Sequence, residues 1–199
     1  VIESGGTAFY DDESLISTDN FRDYLVLEMD KIQKEEASLN FRALHYFKFN
    51  CFANEQLRTT TNNYAFGISE NNATVLLTQY RFSEAGIGFR WAYKEKFIKT
   101  PFSLVSLGTK YPIVFFNFTQ GFNNLMNGQF QYSRFDLKIE KTFSIRNIGQ
   151  SVLRFTGGYI QGNLPYTILY NGTASFLQYG ISAPNSFETM RMNEFLANK

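Results

Sequence analysis

Hydrophobic and polar residues alternate along this chain, most regularly over residues 134–140. There Phe135, Leu137 and Ile139 fall on one face of an extended strand, and Arg134, Asp136, Lys138 and Glu140 on the other. A period of two predicts a half-buried strand, because apolar positions in a helix recur every three or four residues. Tyr132 and Phe143 flank this run at about the 9–11 residues a tilted strand needs to cross a bilayer. Rings at both ends of the run predict a pair of interfacial girdle residues.

The same period recurs elsewhere. Leu39, Phe41, Ala43, Phe47 and Phe49 alternate with Asn40, Arg42 and Lys48. Ile87, Phe89, Trp91 and Tyr93 alternate with Gly88, Arg90, Ala92 and Lys94, and Val114, Phe116 and Phe118 with Phe115, Asn117 and Thr119. Leu25, Leu27 and Met29 face away from Glu28 and Asp30. Further strands are predicted near residues 63–69, 73–83 and 151–161, with turn-forming clusters at 69–72, 83–86, 123–128 and 146–149. Residues 95–111 and 162–186 read as extended loops. Residues 30–37 are rich in helix formers, but the alternation from Leu39 onward favours a turn there between two long strands. The whole predicts an all-β fold, an antiparallel meander of roughly eight to ten strands.

Composition changes the picture by pointing to lipid. The chain has 22 phenylalanines and 12 tyrosines, and charged residues are only 19% of it, below the share of about 25% in soluble domains. No stretch approaches the run of about 20 apolar residues that a spanning helix requires. A transmembrane barrel needs only alternate residues to be apolar. The expected fold is therefore part of an outer-membrane β-barrel, with Phe135, Leu137 and Ile139 facing lipid. Arg134, Asp136, Lys138 and Glu140 would then face the lumen. A soluble β-barrel carrier, holding an apolar ligand in its interior, would place the same apolar residues inward instead.

Formal charge is +1, with the acids concentrated early: residues 1–40 hold three basic and ten acidic residues. Dispersed charge of this kind solvates loops and a lumen, and the absence of a basic stripe argues against a nucleic-acid partner. His45 is the only histidine; its place among Phe41, Ala43, Phe47 and Phe49 predicts a wall or girdle residue. A hydrolase built on His45 is the weakest of the three functional readings, since no G-x-S-x-G elbow exists. His45 and Cys51 alone make no metal site, and Asp11, Asp12 and Glu13 read as a solvated loop. Gly157 and Gly158, like Gly86 and Gly88, sit inside β runs and mark bends or bulges, not phosphate cradles. No catalytic residue, cofactor or metal is expected.

The order of motifs in the second half adds a resemblance. Phe89-Arg90-Trp91-Ala92-Tyr93 is followed by Leu107-Gly108-Thr109-Lys110-Tyr111-Pro112 and Phe118-Thr119-Gln120-Gly121. Then come Gly157-Gly158-Tyr159-Ile160-Gln161-Gly162-Asn163-Leu164-Pro165 and the run from Phe187 to Phe195. This order resembles the barrel region of the DUF5686 family of Bacteroidota outer-membrane proteins. The resemblance implies a barrel of the Omp85, or surface-antigen, type, often preceded by a carboxypeptidase-like regulatory domain. It also implies a role in outer-membrane transport or assembly, with outer-membrane lipid and other outer-membrane or periplasmic proteins as partners. Residues 163–180, where that type carries an Arg-Gly loop, contain Gly172 and Gly180 but no arginine. Val1 and Lys199 both fall within running elements, so residues 1–199 are expected to be a partial barrel domain, truncated at both ends.

Overall fold

The alternation drives strand formation. Residues whose apolar members recur every second position can segregate them only by extending, and the extended backbone then finds its hydrogen bonds in neighbouring strands. In the computed structural model, which describes residues 2–3, 30–60, 64–70, 73–101, 104–147, 149–171 and 196–198, this produces one large antiparallel sheet. Its long strands are β2 (Asp30–Ala43), β3 (Phe47–Thr59), β6 (Gln79–Ala92), β9 (Ile113–Gly121), β10 (Tyr132–Ile145) and β11 (Gly149–Gln161), paired in that order as a meander. The two-residue β1 (Ile2–Glu3) pairs with the start of β2. The sheet is open, with β11 at its far edge.

Two hairpins interrupt the meander at opposite ends. β4 (Phe66–Glu70) and β5 (Ala73–Leu77) stand between β3 and β6, while β7 (Lys96–Lys99) and β8 (Leu104–Gly108) stand between β6 and β9. A 3-10 turn at Tyr166–Ile168 leads to β12 (Tyr170–Asn171), which pairs with β13 (Leu196–Ala197). Within the described residues no helix is long and apolar enough to cross a membrane, a statement that does not bear on strands.

Several expectations change. Residues 30–37 form neither turn nor helix but the first half of β2. Pairing of Asp30–Ala43 with all of β3 overrides the intrinsic preference of Lys31, Lys34, Glu35 and Glu36. Residues 83–86 are not a turn but the middle of β6, where Gly86 is needed for another reason given below. The expected loop at 95–111 contains the β7–β8 hairpin. Of the expected loop at 162–186, the part up to Asn171 holds the 3-10 turn and β12. Residues 172–186, like Leu25, Leu27, Met29 and Asp11–Asp12–Glu13, lie outside the described residues. His45 is not on the wall: with φ 53° it sits in the β2–β3 turn beside Leu44 at φ 51°, exposed to solvent.

The buried core lies at one end of the sheet and on one face. Tyr80, Phe82, Tyr132 and Ile160 rise from β6, β10 and β11, and Phe130, Leu164, Ile168 and Tyr170 close over them. Phe66, Ile68 and Leu77 of the β4–β5 hairpin pack against the same cluster. Tyr132 is therefore a core residue and not a girdle ring. The eleven-residue spacing from Phe143 puts the two on opposite faces of β10, because side chains alternate with a period of two.

Glycines on the core face make room for cross-strand rings. Gly86 is paired with Phe52, and a Cβ there would strike the Phe52 ring and come within 2.8 Å of the Phe118 carbonyl oxygen. Gly121 is likewise covered by the ring of its partner Tyr132. Gly157, on the opposite face, has no atom nearer than 4.0 Å to such a Cβ. Overpacking costs about 1–3 kcal/mol, so Gly86→Val is expected to destabilise by that amount. Gly157→Ala should stay within about 0.5 kcal/mol of the parent, as for substitutions that meet nothing. Urea unfolding of the two variants in detergent, followed by tryptophan fluorescence, checks this; equal losses would contradict it.

Candidate functional site

Register turns the alternation of single strands into two continuous faces. Read across β2, β3, β6, β9, β10 and β11, one row is Leu39, Cys51, Ile87, Phe118, Phe135 and Tyr159. The next on the same face is Phe41, Phe49, Phe89, Phe116, Leu137 and Gly157, and the third is Ala43, Phe47, Trp91, Val114, Ile139 and Phe155. No charged side chain occurs in these rows. Their rings touch across strands: Phe41 stacks on Phe49 at 5.5 Å, Phe89 meets Phe116 at 5.4 Å, and Phe118 meets Phe135 at 4.9 Å.

Nothing among the described residues covers this face. Leu39 is 64% exposed, Phe155 61% and Phe135 39%. Soluble monomers rarely leave contiguous apolar patches of more than a few hundred Å² in contact with water. Next to Trp91 a group of rings borders the apolar rows: Tyr93 packs on Tyr46 at 5.4 Å and on Tyr111 at 4.9 Å. Lys94 and Lys141 both reach over Tyr111, and Lys141 also over Phe143. At the other border the rows give way to Ala37, Ala53 and Ala85 and then to Gln120, Ser133 and Gln161.

The opposite face is polar. Rows on it read Asn40, Asn50, Gly88, Asn117, Asp136 and Gly158, then Arg42, Lys48, Arg90, Phe115, Lys138 and Thr156. The four charges singled out from the sequence are brought together here and are matched among themselves. Arg134 lies 3.2 Å from Asp136, and Lys138 lies 3.9 Å from Glu140, which also holds Arg154 at 3.1 Å. Asp136 accepts a hydrogen bond from the Tyr170 hydroxyl. Phe135, Leu137 and Ile139 stand on the other face of the same strand, as their parity requires.

Where the core sits, polar groups fasten the chain segments that cover the sheet. Arg58 donates to the Thr167 carbonyl oxygen, Tyr132 donates to Glu84, and Gln56 donates to Glu84 at 3.2 Å. Tyr166 donates to both Asp30 carboxylate oxygens at 2.9 Å. Burial, and then that carboxylate, push the Tyr166 phenol well above its ordinary value, so it stays a donor.

The other end carries residues that sequence reasoning left aside. Glu95 follows β6 and receives Arg90 at 2.6 and 2.7 Å, with Ser106 of β8 as a second donor. Burial alone would raise the Glu95 carboxyl. The hydrogen bonds from Arg90 and Ser106, with the charges of Arg90 and Arg42, outweigh that and hold it below the usual range. Arg42 lies over the Phe97 ring at 4.1 Å. The signal for this cluster was partly present: a short turn at residues 44–46 sets Arg42 opposite Lys48. Adding Arg90 required knowing that the β4–β5 hairpin is bypassed.

Comparison with known proteins bears on family alone. No curated protein matches the chain. A family model described as the C-terminal domain of DUF5686, a family of unknown function, matches residues 36–164. That span runs from β2 through β11 to Leu164 of the core and covers well over half of the chain. The chain belongs to the DUF5686 family, through its C-terminal domain.

Proposed function

We propose that this chain is part of the wall of an outer-membrane β-barrel, with the rows through Phe89 and Leu137 against lipid and the polar face toward the lumen. The observation that carries the reading is the position of the apolar rows: they lie on the uncovered face, while the charged rows share a face with the buried ring cluster that covers one end of it. Water favours the reverse arrangement, and a barrel in lipid favours this one. On β10 the apolar side runs through Phe135, Leu137 and Ile139 and ends at Lys141, whose ammonium lies over the Tyr111 and Phe143 rings. The rings of Tyr46, Trp91, Tyr93 and Tyr111, with Lys94 and Lys141 above them, fit an interfacial girdle at one border.

The role that follows is not covalent chemistry but passage, insertion or anchoring of other molecules. The family resemblance supports a Bacteroidota barrel of the Omp85 type, acting in outer-membrane transport or assembly with lipid and other envelope proteins as partners. The ring cluster around Phe82 and Tyr132 fills the polar face at one end, which favours a lumen closed on that side over an open pore. A soluble carrier would need Phe135, Leu137 and Ile139 to line an enclosed cavity, and the exposure of Phe135 weighs against it.

Two measurements follow. A charged side chain on the lipid face of such a barrel costs about 2–4 kcal/mol at mid-bilayer, whereas on a water-exposed surface it stays within about 0.5 kcal/mol. Leu137→Arg is therefore expected to lose about 2–4 kcal/mol of unfolding free energy in lipid bilayers. A near-neutral result would contradict the wall. Trp91, the only tryptophan, is expected to be quenched by brominated lipids but not by aqueous iodide; the opposite pattern would place this face in water.

A further inference from the structure

At the end of the sheet opposite the buried ring cluster, we infer a docking surface for the phosphate headgroups of anionic phospholipids, centred on Lys94 and Lys141 at the Tyr111 ring. The inference rests on the proposed wall, whose lipid-facing rows end at this border.

Charge is distributed unevenly along the strands. Outward from the row that holds Arg42, Phe115 and Thr156, residues 42–48, 90–115 and 138–156 carry eleven basic residues and two acidic ones. Residues 30–41, 49–89, 116–137 and 157–171, toward the filled end, carry five basic and seven acidic. Both acids of the basic end are engaged: Glu95 accepts from Arg90 and Ser106, and Glu140 pairs with Lys138 and Arg154. Among the described residues no carboxylate pairs with Lys94, Lys96, Lys99, Lys110, Lys141 or Arg146. Lys141 is half-buried, and the other five are exposed.

The rings set the depth of these charges. Tyr111 packs on Tyr93, which in turn lies beside Trp91. Lys94, just after β6, reaches to 5.8 Å from the Tyr111 ring centre, and Lys141 of β10 to 6.0 Å. The Lys141 ammonium also donates to the Lys110 carbonyl oxygen, which draws Lys110 into the same group. Amphipathic rings rest where hydrocarbon meets headgroups, and lysine stems run along them to carry the ammonium into the headgroup layer. Two ammonium groups at one ring repel each other, and a phosphate beside the ring relieves both.

The connections point to phospholipid as the source of that phosphate. At this end two of them are short turns, at residues 44–46 and at Arg146–Asn147. The third carries β7–β8 and folds back over the polar face, where Ser106 meets Glu95 and Phe97 meets Arg42. Connections at the filled end include residues 60–78 and 122–131. Short turns mark the periplasmic end of outer-membrane barrels, so the basic end faces the phospholipid leaflet.

Trp91 stands at this border and reports which lipids occupy it. The intact protein is reconstituted at low salt in phosphatidylcholine vesicles containing brominated phosphatidylcholine or brominated phosphatidylglycerol. Phosphatidylglycerol is expected to quench Trp91 as though bound roughly fivefold more tightly, about what one lysine contributes at an anionic surface. Salt at about 1 M should remove the difference. Lys94→Gln combined with Lys141→Gln should abolish the preference, and Lys94→Arg combined with Lys141→Arg should keep it. Lys31→Gln, which removes an exposed charge roughly 40 Å away along β2, should leave it unchanged. Equal quenching by the two lipids, or a preference that survives loss of both lysines, would overturn the site and leave the wall in place. Absence of quenching by either lipid would reject the wall, and the site with it. On a Cys51→Ser background, an impermeant maleimide should label Asn123→Cys in intact cells but Ser144→Cys only after permeabilisation. The reverse pattern would overturn the assignment to the phospholipid leaflet.

Discussion

Everything else in this structure depends on strand register. Side chains alternate with a period of two, so a slip of one residue between any two of the six long strands would exchange their faces. Leu39, Cys51, Ile87, Phe118, Phe135 and Tyr159 form one row only because five pairings are each in phase. Short turns fix two of these phases, at residues 44–46 and at Arg146–Asn147. Between strands without a short connection, shape does the work. Phe52 lies over Gly86 and Tyr132 over Gly121, and a slipped register would set each ring against a neighbour with a Cβ.

With register fixed, the two ends of the polar face diverge. At one end rings and tyrosine–carboxylate bonds hold the β4–β5 hairpin and the segment through Tyr170 onto the sheet. At the other, Arg42 and Lys48 stay exposed to solvent, while Glu95 is buried and bonded to Arg90 and to Ser106 of the β7–β8 hairpin. On the proposed barrel reading, a polar face that is filled at one end and charged at the other would form a recess more than a conduit. That asymmetry is what any account of the family's role must use.

How much could be read from the chain follows from which interactions were local. The run from Arg134 to Glu140 declared its strand because both faces alternate without interruption. The apolar rows through Phe49, Phe89 and Phe116 were legible for the same reason. Residues 30–37 were not, since Lys31, Lys34, Glu35 and Glu36 become strand only through pairing with β3. Gly86 looked like part of a turn because its true constraint, the Phe52 ring, is remote in sequence. Tyr132 and Phe143 were paired as girdle rings on spacing alone, although an odd spacing puts them on opposite faces. The β7–β8 hairpin was hidden by Pro101 and Gly108, and the row of Arg42, Lys48 and Arg90 by the hairpin inserted between β3 and β6.

The central claim is that one face of the sheet meets lipid and the other meets water. The most direct measurement is a nitroxide scan of residues 48–53 on β3 in lipid vesicles, one labelled cysteine at a time, with Cys51 replaced in all but its own sample. Collision with oxygen, which concentrates in lipid, should peak at positions 49, 51 and 53. Collision with a water-soluble nickel chelate should peak at 48, 50 and 52. The opposite phase, or both faces equally open to the chelate, would contradict the account.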